Sequence, residues 1–384
     1  MRFELATAGR ILFGPGALAD LGGIASAMGR RALLVTGRTP SRAEPAREAL
    51  AAAGVATVGL AVAGEPTVGD VRRGADVARA ERVDLVVACG GGSAVDCGKA
   101  VAALLGNGGD PLDYLEVVGR GQALTRPSAP FIAVPTTAGT GSEVTRNAVL
   151  ASPEHKVKAS LRSPLMLARA AIVDPDRLLG LPRDVVAASG LDAFAQLVEP
   201  FLSVRANPLV DSLCREGLAR SARSLRRACE GDASEPVRVD LALASLFGGL
   251  ALANAGLGAV HGFAAPVGAL FDAPHGAACA ALLPAVLRVN LAALTRRRPD
   301  SPAIERYREI AAIVTGRPGA DAGQAVAWTE SLVRSLAVPG LSHWGASEAD
   351  VPALVAKARA ASSMTGNPIA LEEDELVEIA RASL

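Results

Sequence analysis

The segment "VDLVVACGGGSAVDCGKA", residues 83–100, joins a short apolar run to a helix-like run through three consecutive glycines. The apolar run has the length and the β-branched content of a buried strand. Gly90, Gly91 and Gly92 let the backbone approach a ligand closely, and Ser93 stands where the helix is expected to begin. Exposed amides and the positive end of a helix dipole suit a pyrophosphate, although a tight turn without a ligand explains the glycines equally well.

Short apolar runs alternate with helix-like segments as far as residue 175. The predicted buried strands are 31–37, 55–62, 83–92, 129–137 and 170–175, and helical spacing covers 44–54 and 67–81. This alternation predicts an α/β fold with a parallel, Rossmann-like sheet covered by helices on both faces. The common dinucleotide fingerprint G-x-G-x-x-G does not occur in the chain, so the glycine run is the candidate phosphate cradle.

The rhythm changes after residue 182, where long Ala- and Leu-rich amphipathic patterns continue to the end of the chain. These patterns predict an all-α half. Because 384 residues are too many for one comfortable core, we predict an α/β dinucleotide-binding domain over 1–178 and an all-helical domain over 179–384. We expect the functional site in a cleft between these two domains.

Composition excludes several classes of protein. Lys and Arg together number 39, as do Asp and Glu, which predicts no partner among nucleic acids or anionic membranes. Five cysteines without a CxxC pair indicate neither a disulfide framework nor a zinc ribbon. The N-terminus lacks a signal-peptide pattern, and no uninterrupted run of about 18 apolar residues suggests a membrane span. We therefore expect a cytoplasmic protein.

A second loop of small residues follows the next predicted strand, in "PTTAGTGSEVTRNAV", residues 135–149. Thr136, Thr137 and Thr140 place hydroxyls among glycines, where they can contact sugar and phosphate oxygens. Ligands of parallel sheets bind beyond the carboxyl ends of the strands. Two such loops on one sheet favour dinucleotide binding over two ordinary turns.

Two of the four histidines lie in "AVHGFAAPVGALFDAPHGAACAALLP", residues 259–284, which is otherwise almost entirely apolar. Upstream, Asp192 and Gln196 share one face of a predicted helix at i, i+4 spacing. With His261 and His275 they make a set of donors that suits a divalent iron or zinc ion with an open position. Each histidine alone is better explained as a hydrogen-bonded core residue, and Asp192 with Gln196 as a hydrogen-bonded pair.

Four segments together resemble the successive signatures of the iron-containing (group III) alcohol dehydrogenase family, in that family's order. They are "GGGSAVDCGK", "PTTAGTGSEVT", "DAFAQLVEP" and "VHGFAAPVGALFDAPHG". The resemblance covers essentially the whole chain and implies the dehydroquinate synthase-like architecture, with a nucleotide-binding α/β domain and a helical metal-binding domain. It also implies hydride transfer between NAD(P) and a small alcohol or aldehyde, and a homodimer or larger homo-oligomer.

The resemblance assigns roles to individual residues. It implies pyrophosphate contacts from Gly91, Gly92 and Ser93, with Asp96 close to the nucleotide. It implies further cofactor contacts from Thr136, Thr137 and Thr140, and from Lys158 to the nicotinamide ribose. It implies that Asp192, His261 and His275 are metal ligands.

The chain departs from the family pattern at three places. Gln196 replaces the usual fourth metal ligand, a histidine, and Ala265 replaces a histidine that is a candidate proton relay. Water, the cofactor ribose hydroxyl or a residue not identified from the sequence would then have to take the proton. Gly37, followed by Arg38, replaces the acidic residue that repels a 2′-phosphate, with Ser41 and Arg42 nearby. We therefore expect NADP in preference to NAD.

Three alternatives remain open. A metal-independent enzyme like maleylacetate reductase is suggested by "GALFDAPHG" with Cys279, although Asp192 beside two histidines argues for a cation. Lyase chemistry like that of dehydroquinate synthase fits the helical half less well. A nucleotide-binding pseudoenzyme would explain the two missing histidines. The metal content of the purified protein distinguishes a metal-dependent dehydrogenase, with about one ion per chain, from a metal-free reductase or pseudoenzyme, with none.

Overall fold

The computed structural model describes residues 2–155 and 157–384. Its strands are β1 (Ile11–Phe13), β2 (Arg31–Thr36), β3 (Ala56–Ala61), β4 (Leu85–Gly90), β5 (Phe131–Pro135), β6 (Asn147–Ser152), β7 (Val157–Arg162) and β8 (Ala170–Val173). The first helices are α1 (Leu21–Ser26), α2 (Glu44–Ala52), α3 (Val68–Ala80), α4 (Gly92–Asn107) and α5 (Pro111–Tyr114). The later helices are α6 (Arg183–Leu202), α7 (Pro208–Cys229), α8 (Glu235–Ala255), α9 (Ala259–Phe271), α10 (His275–Arg297), α11 (Pro302–Thr315), α12 (Ala322–Leu336), α13 (Val351–Arg359) and α14 (Glu373–Ala382).

The chain forms two compact units. Leu5–Thr137 and Gly141–Leu179 make up the α/β unit. Gly180–Leu384 makes up the helical unit, which also includes the short loop Ala138–Thr140. The predicted fold class, a parallel sheet followed by an all-helical part, is confirmed.

The α/β unit is built on a six-stranded parallel sheet in the order β1-β8-β5-β4-β2-β3. All five predicted strands are present in it. The prediction that 55–62 is a buried strand is wrong, because β3 lies at the sheet edge and pairs only with β2, which leaves several of its side chains exposed. The strand β4, which leads into the glycine run, lies inside the sheet between β5 and β2 and is buried throughout.

Sequence patterns missed β1 and the antiparallel hairpin of β6 and β7. β1 has only three residues and pairs with β8 from Ile11 to Phe13, too short a run for a period to be visible. The hairpin forms a separate two-stranded sheet, and its strands bury alternate side chains. It follows directly after the hydroxyl-rich loop.

Three helices of the helical unit, α6, α8 and α10, are long and apolar enough to cross a membrane by length and composition alone. Of their most apolar windows, 78%, 56% and 72% respectively is buried inside the protein. Most of this apolar surface is therefore buried by packing inside the protein. The expectation of no membrane span rested on uninterrupted apolar runs, which these three helices do not contain. The core of the helical unit includes Phe194, Phe201, Phe263 and Tyr307.

Candidate functional site

Helix α6 carries a line of polar side chains into the core of the helical unit. Asp192, Gln196 and Glu199 follow i, i+4, i+7 spacing, so they lie on one face of the helix. All three are almost completely buried, with 1%, 2% and 5% of their surface exposed. Buried polar groups need partners, so this face marks a site on α6.

Helix α9 is anchored at its N-terminus by side chains from elsewhere in the helical unit. The Val260 N–H donates to Glu199 Oε1 at 2.7 Å, and the Ala259 N–H donates to Asn367 Oδ1 at 3.2 Å. These contacts satisfy amides that the first turn of a helix leaves without partners. They fix the first turn of α9, and with it His261.

His261 lies between two carboxylates. Its Nδ1 is 2.6 Å from Glu199 Oε2, and its Nε2 is 3.2 Å from Asp192 Oδ1. With the proton on Nδ1 and donated to Glu199, the lone pair of Nε2 faces Asp192. A carboxylate that orients the far nitrogen of a histidine in this way is a recurrent feature of metal sites.

His275 is the first residue of α10, directly after Pro274, which is the N-cap of this helix. Gly276 allows this helix end to pack tightly on α6, because a Cβ at that position would lie 2.6 Å from the Ala188 carbonyl oxygen. His275 Nε2 is 3.8 Å from Asp192 Oδ1, and its ring centroid is 5.4 Å from that of His261. Asp192, His261 and His275 are therefore brought together.

A fourth donor in this cluster was missed as a ligand by the sequence analysis. Cys279, one helical turn after His275, is buried, and its Sγ lies 3.6 Å from His275 Nε2. The donor atoms of Asp192, His261, His275 and Cys279 all lie within 4.8 Å of one another. Its i, i+4 spacing from His275, a predicted ligand, was the sequence signal that could have identified Cys279 as a further donor.

The cluster has the electrostatics of a cation site. Burial raises the pKa of the Asp192 carboxyl, but the two imidazoles outweigh burial and leave it lowered. The Cys279 sulfur, with Asp192, raises the pKa of His275 to about 9 against the effect of burial. Burial lowers the pKa of His261, but Cys279 and Glu199 outweigh burial and leave it raised. In the absence of a metal cation, His261 and His275 therefore hold their protons more tightly than a free histidine does.

Gln196 occupies the same face of α6, one turn after Asp192. Its Oε1 is buried and has no hydrogen-bond partner among the residues that the structure describes. A Cβ on Gly248 of α8 would lie 3.4 Å from this oxygen. An unsatisfied buried acceptor is costly, so Gln196 remains a candidate donor to a bound cation.

In the α/β unit, the two predicted nucleotide loops lie side by side. Helix α4 begins at Gly92, one residue before Ser93, with Gly91 as its N-cap. The Thr136 N–H donates to Gly90 O at 2.9 Å, and a Cβ on Gly91 would lie 3.4 Å from Thr137 Oγ1. Thr140 belongs to the stretch Ala138–Thr140, which groups with the helical unit.

Asp96 and Lys158 have partners within the α/β unit. Asp96 Oδ2 accepts the Val149 N–H at 2.9 Å, and its Oδ1 accepts from the Ser142 hydroxyl. Lys158 Nζ lies 3.4 Å from Glu65 Oε1. Asp96 therefore fastens the hairpin to α4, whereas the nucleotide contacts of both residues stay predictions.

The turn after β2 contains Gly37 and Arg38. Arg38 is exposed, and its Nε donates to Ala63 O at 2.8 Å. Arg42 donates to the carbonyl oxygens of Arg177 and Leu179, at 2.6 Å and 3.1 Å, so its guanidinium is engaged in the protein's own structure. Of the two arginines named from the sequence, Arg38 is the better candidate for a phosphate contact.

Comparison with known proteins supports one family over both halves of the chain. Residues 8–175 match the model of "Iron-containing alcohol dehydrogenase", and residues 186–384 match "Fe-containing alcohol dehydrogenase family, C-terminal". The chain is 36% identical over 383 residues to 1,3-propanediol dehydrogenase of Klebsiella pneumoniae, covering 96% of this chain and 95% of that protein.

Solved structures agree. A crystal structure of 1,3-propanediol oxidoreductase superposes with a TM-score of 0.91 at 34% identity, covering 100% of both chains. Sulfoacetaldehyde reductase from Bifidobacterium kashiwanohense, in complex with NAD⁺, superposes with a TM-score of 0.88 at 28% identity, covering 100% of this chain and 99% of the other. The chain belongs to the iron-containing alcohol dehydrogenase family.

Proposed function

We propose that the protein is a metal-dependent, NAD(P)-linked alcohol dehydrogenase or aldehyde reductase that transfers a hydride between nicotinamide and a small alcohol or carbonyl substrate. The observation that carries this proposal is the convergence of the His261 and His275 Nε2 atoms on Asp192 Oδ1, at 3.2 Å and 3.8 Å. The likeness to 1,3-propanediol dehydrogenase and sulfoacetaldehyde reductase supports a small substrate.

The residues of the site fit a divalent iron or zinc ion. Asp192, His261 and His275 would hold the ion, and the unpaired Oε1 of Gln196 is a candidate fourth donor. When bound, the ion supplies Lewis-acid polarisation of the substrate oxygen, and the nicotinamide carries the hydride.

The other side chains of the site orient ligands and handle protons. Glu199 accepts a hydrogen bond from the Nδ1–H of His261, which leaves the Nε2 lone pair on the side of Asp192, where it could bind the ion. Ala265 offers no proton relay where the family commonly has a histidine. Water or the cofactor ribose hydroxyl would therefore take the proton released when the alcohol is oxidised.

Metal content and chelation test this proposal. Protein purified without added metal should hold about one iron or zinc ion per chain, the stoichiometry of a single mononuclear site. It should reduce small aldehydes with NADPH or NADH and lose this activity on chelation. Metal-free protein that still oxidises the cofactor would favour a metal-independent reductase. Metal-free protein that only binds nucleotide would favour a pseudoenzyme.

For the cofactor, we propose that Gly91, Gly92 and Ser93 hold the pyrophosphate, with Asp96 near the nucleotide. Thr136, Thr137, Thr140 and Lys158 would make the further contacts. The start of α4 at Gly92 and the closeness of Gly91 to Thr137 support this arrangement. We propose NADP in preference to NAD because Gly37 carries no charge and Arg38 is exposed beside it.

Gly37→Asp is expected to shift the cofactor preference from NADP towards NAD. A Cβ on Gly37 meets no atom within 4 Å, so an aspartate fits without a clash. Like charges about 4 Å apart repel by about 1–4 kcal/mol between bulk water and a protein surface, so the ratio of kcat/KM for NADPH and NADH should fall about tenfold or more. Steady-state kinetics with both cofactors measures the ratio.

Gly319→Asp is the matched control, since Gly319 is an exposed glycine of the helical unit with the same open space around its Cα. It adds the same charge and should leave the ratio unchanged. An unaltered ratio in Gly37→Asp would reject the proposed role of the turn after β2.

We also propose a homodimer or larger homo-oligomer and a cytoplasmic location. The family resemblance supports the first, and the metabolic enzymes among the relatives support the second. Light scattering of the purified protein and fractionation of its host cells would test them.

A further inference from the structure

The metal centre has a donor that the family pattern does not supply. Cys279 stands one turn after His275 on the same face of α10, with its Sγ 3.6 Å from His275 Nε2. It is completely buried. The chain has Gln196 where the family pattern has a histidine ligand, and Cys279 adds a thiol to the cluster of Asp192, His261 and His275.

Three of the distances between donor atoms are close to the edges of a tetrahedral coordination sphere, and all four donor atoms lie within 4.8 Å of one another. With bonds of about 2.3 Å to sulfur and about 2.05 Å to nitrogen, tetrahedral angles separate the two donors by about 3.6 Å. The distance from Cys279 Sγ to His275 Nε2 is 3.6 Å. A nitrogen and a carboxylate oxygen around the same ion should be about 3.4 Å apart. Asp192 Oδ1 lies 3.2 Å and 3.8 Å from the two imidazole nitrogens.

We propose that Cys279, as a thiolate, is the fourth protein ligand of the metal, together with Asp192, His261 and His275. This inference rests on the proposed metal centre. Binding of the ion displaces the thiol proton to solvent, and no electron is transferred. When bound, an ion held by these four residues would supply Lewis-acid polarisation of the substrate oxygen.

Gln196 is the competing fourth donor, and the chemistry of the two groups favours the thiol. Cys279 Sγ lies within 4.8 Å of donor atoms of Asp192, His261 and His275. An amide oxygen is also a weaker ligand than a thiolate for zinc or ferrous iron.

A thiolate changes the metal that the site selects. Soft sulfur donors favour zinc, and zinc also binds more tightly than ferrous iron to most sites of this kind. We therefore expect this chain to prefer zinc to ferrous iron when the two compete, by a wider margin than a site made only of histidine and carboxylate.

Cobalt(II) is the spectroscopic probe, because a thiolate bound to cobalt absorbs in the near ultraviolet by charge transfer. The apoprotein is titrated with cobalt chloride as wild type, Cys279→Ser, Gln196→Ala and Cys214→Ala. Cys214 is a buried cysteine of α7 in the same unit and controls for thiols outside the cluster. The band should appear in every protein except Cys279→Ser. That variant should bind cobalt about 100-fold more weakly. Losing a ligand should weaken binding at least as much as losing a residue that only orients a ligand, which typically costs about 10–100-fold.

X-ray absorption of the zinc-loaded wild type gives a second reading that needs no variant, with one sulfur expected at about 2.3 Å. Cobalt binding without the band, a band that persists in Cys279→Ser, or zinc without sulfur would overturn the role of Cys279 and leave the metal centre standing. Cobalt binding that lacks the band, weakens in Gln196→Ala and is unchanged in Cys279→Ser would assign the fourth position to Gln196. Wild-type protein that binds neither metal would overturn the metal centre itself.

Discussion

His275→Ala should lower metal-dependent turnover by about 10³-fold or more, because Lewis-acid polarisation is worth several kcal/mol and each 1.36 kcal/mol is a factor of ten in rate. The substitution removes the donor that α10 brings to within 3.8 Å of Asp192 Oδ1. The affinity for the nicotinamide cofactor should stay within a few-fold, since the predicted nucleotide contacts come from other residues. Bound metal per chain, turnover and cofactor binding are measured on the same preparation.

His343→Ala is the matched control. His343 is an exposed histidine of the helical unit that packs edge-on against Trp344, with ring centroids 4.9 Å apart. Its loss should alter neither metal content nor turnover. A His275→Ala protein that turned over like wild type would show that the metal assignment is wrong. Parallel loss of metal and of cofactor affinity would point instead to misfolding of the unit.

Much of the donor cluster was predictable because its residues lie on regular helices. The i, i+4 spacing on α6 puts Asp192 on a buried face, and Pro274 marks the start of α10 at His275. The orienting role of Glu199 was not predictable. Its contact with His261 joins residues 62 positions apart, and no local pattern encodes such a distance.

Cys279 shows a different limit of the sequence. An apolar helix gives a cysteine an ordinary reason to be present, since free cysteines pack as small hydrophobic residues. Only the distance of 3.6 Å from His275 Nε2 distinguishes it from the four other buried cysteines. Similarly, the run 55–62 has the composition of a buried strand, but the sheet order that leaves β3 at the edge depends on long-range pairing.

Lys99→Met should be strongly destabilising, because Lys99 of α4 holds the segment that joins β5 to β6. Its side chain is fully buried, and Nζ donates to Ser142 O and Asn147 O at 2.7 Å each and to Thr145 Oγ1 at 2.9 Å. The methionine fills a similar volume but donates nothing. Removing one member of a buried charged network costs about 3–5 kcal/mol, and we expect a loss of unfolding free energy of that order.

The loss should grow as the pH rises. Burial raises the pKa of Glu143 to about 7 even though the Lys99 ammonium lowers it. The folded protein therefore keeps this proton above the ordinary glutamate range, and wild-type stability falls as the pH rises from the unfolded pKa to about 7. Without the ammonium the folded pKa rises further, so the stability of Lys99→Met continues to fall above that pH.

Urea unfolding at pH 6 and pH 8 measures both effects, and a similar slope in the two proteins keeps the free energies comparable. Lys357→Met is the control, because Lys357 is exposed on α13 and its loss should change stability by about 0.5 kcal/mol or less. A Lys99→Met protein as stable as wild type at both pH values would mean that the oxygens around Nζ find water or other donors. A loss of unfolding free energy that is the same at both pH values would support the hydrogen-bond network around Lys99 but show that Glu143 is not coupled to it.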